Sequence, residues 1–176
     1  MTNVEDHILV QRALQADPQS FGELCSRYYP SLVAVADSVL LDHHLAEDAA
    51  QEALAEACRG LARLKRPERF GPWVAAICRN VAKDMLRELR RPKEPLQDCP
   101  AQECDCPDDE RKAILEQAVQ LLPQHLREVI FLRFYNEMSY EQMAGILGAT
   151  KQTIDGRLRR AKKRIAAYLA RKGFRR

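Results

Sequence analysis

The run from Ser139 to Arg164, SYEQMAGILGATKQTIDGRLRRAKKR, limits what this chain can fold into more than any other stretch. Ser139 is a good helix N-cap, and Gln142 three residues on completes a capping box. The spacing predicts a short helix over 140–147 with Met143, Ala144 and Leu147 on one face. Gly148 can take the positive φ that ends it, and Thr150 can cap the next helix. In that second helix Ile154, Leu158, Ala161, Ile165 and Leu169 recur every three or four residues, which predicts one buried stripe. The remaining surface carries Lys151, Arg157, Arg159, Arg160, Lys162, Lys163 and Arg164 against a single acid, Asp155. Helices that are merely solvated interleave both signs, so this bias favours contact with phosphates. A short helix, a tight turn and a basic helix form the pattern of a helix-turn-helix, whose second helix lies in the DNA major groove.

The rest of the chain supports an all-α class. Glycine is scarce at 7 in 176 residues, and β-branched residues do not alternate with polar ones. Hydrophobic residues at 46% and charged residues at 30% describe a globular chain. The net charge of +3 is modest, but it is segregated. Residues 92–110 hold seven acids and one lysine, and the tail from Lys151 is strongly basic, which points to a polyanionic partner for the basic parts. There is no apolar run of membrane-spanning length and no signal-peptide pattern at the N-terminus, so the expected location is the cytoplasm. The six cysteines are then expected as reduced thiols.

Two small helical blocks are expected, about residues 4–91 and 111–176, joined by a flexible acidic linker over 92–110 that contains Pro92, Pro95, Pro100 and Pro107. In the first block Asp17-Pro18 is a strong helix start, and Pro30 is expected to bend or split the helix that begins there. Asp42-His43-His44 reads as a break in a loop, and the next helix is expected over about 46–64. The last helix, about 70–91, places Trp73, Val74, Ile77, Val81, Met85 and Leu89 inward. Its outward side carries Arg79, Asn80, Lys83, Arg87, Arg90 and Arg91.

The order of these parts resembles the extracytoplasmic-function (ECF) sigma factors, the smallest members of the sigma-70 family. Five segments carry the resemblance: FGELCSRYY from Phe21, AEDAAQEAL from Ala46, FGPWVAAICRNVAKDMLR from Phe70, LPQHLREVIFLRF from Leu122, and the helix-turn-helix itself. The resemblance implies a non-catalytic transcription initiation factor that needs no cofactor. It would bind core RNA polymerase at the β′ clamp helices and the β flap, direct it to promoter DNA, and be held by an anti-sigma factor. Glu47, Asp48, Gln51 and Glu52 are the implied polymerase-binding face; the last three share a side of their helix by spacing. Arg66, Arg69, Phe70, Asn80, Lys83, Arg87, Arg90 and Arg91 are implied for the minus-ten element, with Asn80 suited to a base edge and the cations to single-strand phosphates. Trp73 fits core spacing better than base stacking, whereas Phe70 stays open. Lys151, Gln152, Thr153, Asp155, Gly156, Arg159, Arg160 and Lys163 are implied for the minus-thirty-five duplex. Either arginine could pair with guanine, Gln152 with adenine and Asp155 with cytosine.

Two other readings remain open at this level. One is a helix-turn-helix repressor or activator that binds a palindrome without polymerase. The other is a thiol or metal switch built on Cys99, Cys104 and Cys106, although their spacing of four and then one intervening residues is poor for zinc. Cys25, Cys58 and Cys78 fall on helices and are expected to pack inside. No nucleophile–base pair or phosphate-cradling glycine loop is present in the sequence, so no enzyme is expected.

Overall fold

The computed structural model describes residues 5–91 and 107–174, and every regular element among them is helical. The first part holds α1 (Asp6–Leu14), α2 (Pro18–Leu40), α3 (His43–Gly60) and α4 (Phe70–Arg90), with 3₁₀ turns at Leu61–Arg63 and Pro67–Arg69. The second holds α5 (Pro107–Gln120), α6 (Gln124–Phe134), α7 (Tyr140–Leu147) and α8 (Lys151–Arg171). The linker cysteines Cys99, Cys104 and Cys106 lie outside the described residues.

Helix starts follow the capping chemistry. The Asp17 carboxylate accepts from the N–H of Gln19 at 3.0 Å and from the Ser20 hydroxyl at 2.7 Å. Asp42 accepts from the N–H of Leu45 at 3.0 Å, so α3 begins at His43. The expected His43-His44 loop is therefore the first turn of a helix, with both imidazoles still exposed. Pro30 does not split α2. One missing N–H is offset because Leu24, Leu32, Val35, Ala36 and Val39 are buried along the helix.

The core of the first part is built from α2, α3 and α4. Ala46, Ala49, Ala50, Ala53 and Ala57 of α3 are fully buried, and such small side chains let helix axes approach closely. Gly71 serves a similar close approach, since a Cβ there would lie 2.9 Å from the Tyr28 ring. Asp6 of α1 pairs with Arg27 and accepts from the Tyr28 hydroxyl, tying α1 to α2. Burial first, and then Asp6, push the Tyr28 hydroxyl pKa well above its ordinary value.

In the second part α6 is apolar on almost every side. Leu126, Val129, Ile130, Phe131 and Leu132 are all buried, because α6 packs on α2 as well as on α8. Polar bonds fix this junction. Arg79 of α4 reaches Glu128 of α6 at 2.6 Å, and Glu128 is only 4% exposed. Arg127 Nε donates to the Ser38 carbonyl at 2.5 Å, and Asn136 Nδ2 donates to the Pro30 carbonyl at 2.5 Å.

Other expectations are corrected by this packing. Arg79 faces the second part rather than solvent. Leu89 is exposed, since it lines an open cleft beside Leu45, Glu52 and Met85 instead of the core. Cys58 is exposed, Cys25 is half-buried, and only Cys78 is fully buried. The inward face of α7 is Met143 and Ile146, whereas Ala144 and Leu147 sit at its edge.

Candidate nucleic-acid interface

The helix-turn-helix forms as the local chemistry demands. The Ser139 hydroxyl accepts from the Gln142 N–H at 3.2 Å, and the Gln142 side chain accepts from the Ser139 N–H at 2.8 Å. Gly148 ends α7 at φ 60°. A Cβ there would meet Pro72 at 3.2 Å and Arg69 at 3.3 Å, so this turn also sits against the start of α4. Thr150 caps α8, accepting from the Thr153 N–H at 3.1 Å. The two threonine hydroxyls are 2.9 Å apart, so the Thr153 side chain belongs to the cap.

Only part of the predicted stripe on α8 is enclosed. Ile154, Leu158 and Ala161 are buried, and Ile165 and Leu169 line a groove. The outward face keeps Gln152, Arg159, Arg160 and Lys163 exposed. Several of its cations have partners. Lys151 pairs with Glu141, which holds the Glu141 carboxyl below its ordinary pKa. Arg160 Nε donates to the Gly156 carbonyl at 3.0 Å, a contact that no side chain at 156 obstructs. Arg159 Nε donates to Asp155 at 2.8 Å, and its Nη2 joins the same carboxylate oxygen.

A second basic row lies on α4. Asn80, Lys83, Arg87 and Arg90 are all exposed, and steps of three and four place them on one side of the helix. Arg87 is paired with Asp84, and Arg91 with Glu88 at 2.8 Å. In the preceding turn Arg66 reaches Glu68 at 2.8 Å, and Arg69 is exposed beside the Gly148 turn. Phe70 departs from its expected role. It is fully buried, edge-on to Tyr28 at 5.3 Å and 5.9 Å from Trp73 between ring centroids. As the first residue of α4 it closes the α2–α4 core, and it offers no free face for a base.

On α3, Asp48, Gln51 and Glu52 are exposed and Glu47 is partly so. Glu52 holds Arg59 at 2.9 Å, and Glu47 sits 3.9 Å from His43. Among the described residues no cluster of His, Cys, Asp and Glu is placed to hold a metal.

The sequence pattern gave no sign of a groove of about 800 Å³ where the two parts meet. Leu41 and His43 form one wall. Leu115, Phe131, Phe134, Tyr135, Ile165 and Leu169 form the rest, with Lys112 and Lys162 at the rim. Phe134 and Tyr135 are more than half exposed, which marks an apolar surface awaiting cover. Burial pushes the Asp37 carboxyl in this groove above its ordinary pKa, against the opposing pull of His43. No short window could reveal a wall assembled from helices so far apart in sequence.

Two helical units, each with a basic row and the second with a helix-turn-helix, define a DNA-directed factor. Known proteins place it further. Residues 24–92 match the family model for sigma-70 region 2, and residues 112–165 match that for sigma-70 region 4. The chain is 28% identical to the RNA polymerase sigma-H factor of Pseudomonas aeruginosa over 94% of both proteins. It is 28% identical to the ECF sigma-E factor of Escherichia coli K12, covering 91% of this chain and 92% of that one. The structure of CnrH in complex with the cytosolic domain of CnrY superposes with a TM-score of 0.64 at 26% identity, covering 95% of this chain and 98% of CnrH. The chain belongs to the ECF group of the sigma-70 family, the sigma factors that direct RNA polymerase to promoters.

Proposed function

We propose that the two units, residues 4–91 and 111–176, divide promoter recognition between them and that the observation carrying this is the pair of basic rows on separate units. Asn80, Lys83, Arg87, Arg90 and Arg91 follow the minus-ten strand from α4, with Arg66 and Arg69 in the loop that leads into it. Lys151, Gln152, Asp155, Gly156, Arg159, Arg160 and Lys163 face the minus-thirty-five duplex from the N-terminal half of α8. The phosphate contacts set register and the base contacts set sequence.

Core RNA polymerase is the machine that these contacts aim. The carboxylates of Glu47, Asp48 and Glu52, with the Gln51 amide, suit a basic helix such as the β′ clamp, and the second unit suits the β flap. The protein works in the cytoplasm, where transcription takes place. The sigma factor RpoE of Bartonella quintana, a structural relative, has been captured with the anti-sigma factor NepR, and a regulator of that kind is the partner expected here. The groove around Phe134 and Tyr135 offers it an apolar surface.

The test is run-off transcription with purified core polymerase on a promoter library. Promoter-dependent product is expected from the wild type. Loss is expected when Asp48, Gln51 and Glu52 are replaced together by Ala, with polymerase pull-down lost in parallel. No product on any promoter, or pull-down unchanged in the triple variant, overturns the assignment.

A further inference from the structure

The side chains of Asp155 and Arg159 raise a question that fold stability does not answer. The carboxylate on α8 takes two bonds from the same guanidinium, through Nε at 2.8 Å and through Nη2. Both groups are solvent-accessible, with 79% of the Arg159 side chain exposed, and pairs so placed contribute little to folding. The pair also spends the one acid on a helix face that otherwise gathers cations.

Geometry gives it another use. A guanidinium has five N–H donors in a fixed planar fork. Oδ2 of Asp155 occupies the side edge, formed by Nε and one N–H of Nη2. Three N–H groups remain, and two of them, one on each terminal nitrogen, form the end edge and aim the same way. With the side edge taken, that edge is the one left to pair bidentately with O6 and N7 of guanine. Arg160 is held differently. Its Nε rests on the neutral Gly156 carbonyl, and among the described residues no carboxylate pairs with it to fix the fork or offset its charge.

We propose that Asp155 is a positioning residue that fixes Arg159 end-on for a single guanine of the upstream element and makes it a base reader instead of a phosphate clamp. The inference deepens the assignment of α8 to the duplex and rests on it. The carboxylate acts in two ways. It removes the rotamer search that an arginine otherwise completes on binding. It also cancels much of the charge that would let Arg159 settle on any nearby phosphate, so the wrong sequence gains little. This role differs from direct reading, in which Asp155 itself would accept from a cytosine amino group.

The experiment uses the full chain assembled with core RNA polymerase and a pool of promoter duplexes whose upstream element is randomised, read by sequencing of the bound fraction. Wild type is expected to select guanine at one position. Arg159→Ala should erase that preference. Asp155→Ala should reduce it at the same position by about tenfold, and Asp155→Glu should restore part of it. Binding of Asp155→Ala to a non-selected duplex should hold or tighten, with a salt slope steeper by about one counterion as Arg159 moves to a phosphate. The double variant should be no worse than Arg159→Ala alone. If Arg159→Ala erases the preference while Asp155→Ala leaves it intact, the positioning role is overturned and the duplex assignment stands. If Asp155→Ala instead loses a cytosine at another position, Asp155 reads a base directly and the proposal falls. If neither variant alters any position, the assignment of this face to the duplex falls with it.

Discussion

The two halves of this protein keep themselves folded by different means. The first owns its core. Long helices bring alanines against one another, and Phe70, Val74 and Cys78 of α4 are buried where α4 packs on α2 and α3. The second has shorter helices and leans on its neighbour. Its central helix, α6, is buried on one side by α8 and on the other by α2, so part of its apolar surface is covered only while the two halves touch. The lesson is that the recognition domain is the looser partner. Any state that separates the halves must find new cover for Ile130, Phe131 and their neighbours, at about 25 cal/mol for each Å² left exposed.

The largest effect should come from breaking the self-contained half. Phe70→Ala should cost about 3–5 kcal/mol of stability, measured by denaturant unfolding of the full chain. A thiol reports the same event. Burial pushes the Cys78 pKa up to about 12, so the buried group is a poor nucleophile at neutral pH. Its alkylation should rise by about two to three and a half orders of magnitude in Phe70→Ala, following the population that opens. The exposed Cys58 should label at the same rate in both proteins. Equal labelling of Cys78 in wild type and variant would show that Phe70 does not hold this core.

Next comes the junction. Arg79→Ala strands the Glu128 carboxylate and should weaken the packing of the halves by about 1–3 kcal/mol. The loss should appear as a larger radius of gyration by X-ray scattering with the helix content unchanged. A circular-dichroism loss instead would mean that the pair holds a domain rather than the junction. Gly148→Ala tests the same junction at the turn. The positive φ and the tight approach to Pro72 and Arg69 together should cost about 1–2 kcal/mol, and the effect should shrink when Arg79→Ala has already parted the halves. The smallest effect belongs to a purely local feature. Ser139→Ala removes one cap of α7 and should cost about 1 kcal/mol whether or not the halves are in contact, read as a shift in the chemical denaturation midpoint.

The cap residues explain why so much of the fold was legible. Asp17, Ser139, Gln142, Gly148 and Thr150 act on backbone groups within three or so residues of themselves, so a short window contains the whole interaction. Helical periodicity likewise marked Val74, Val81, Ile154 and Leu158 as inward, because burial on one side leaves a repeat of three or four. The basic rows of α4 and α8 were visible for the same reason. What a window could not show was which inward face meets which. Phe70 looked available for a base because nothing near it in sequence announces Tyr28 as its lid. Arg79 looked like one more cation in a basic row, because its partner Glu128 lies forty-nine positions away.

By itself the sequence determined most of the helices, their capped ends and the sign of charge on their outward faces, since these depend on hydrogen bonds and spacing inside a few turns. Only the tertiary structure decided that α6 would be shared between two halves, that Cys58 would be exposed while Cys78 is enclosed, and that an apolar groove would open at the junction. The guanidinium of Arg159 stands between these levels. Its neighbour four residues earlier was plain in the sequence, but the edge of the fork left free depends on where side-chain atoms come to rest in space.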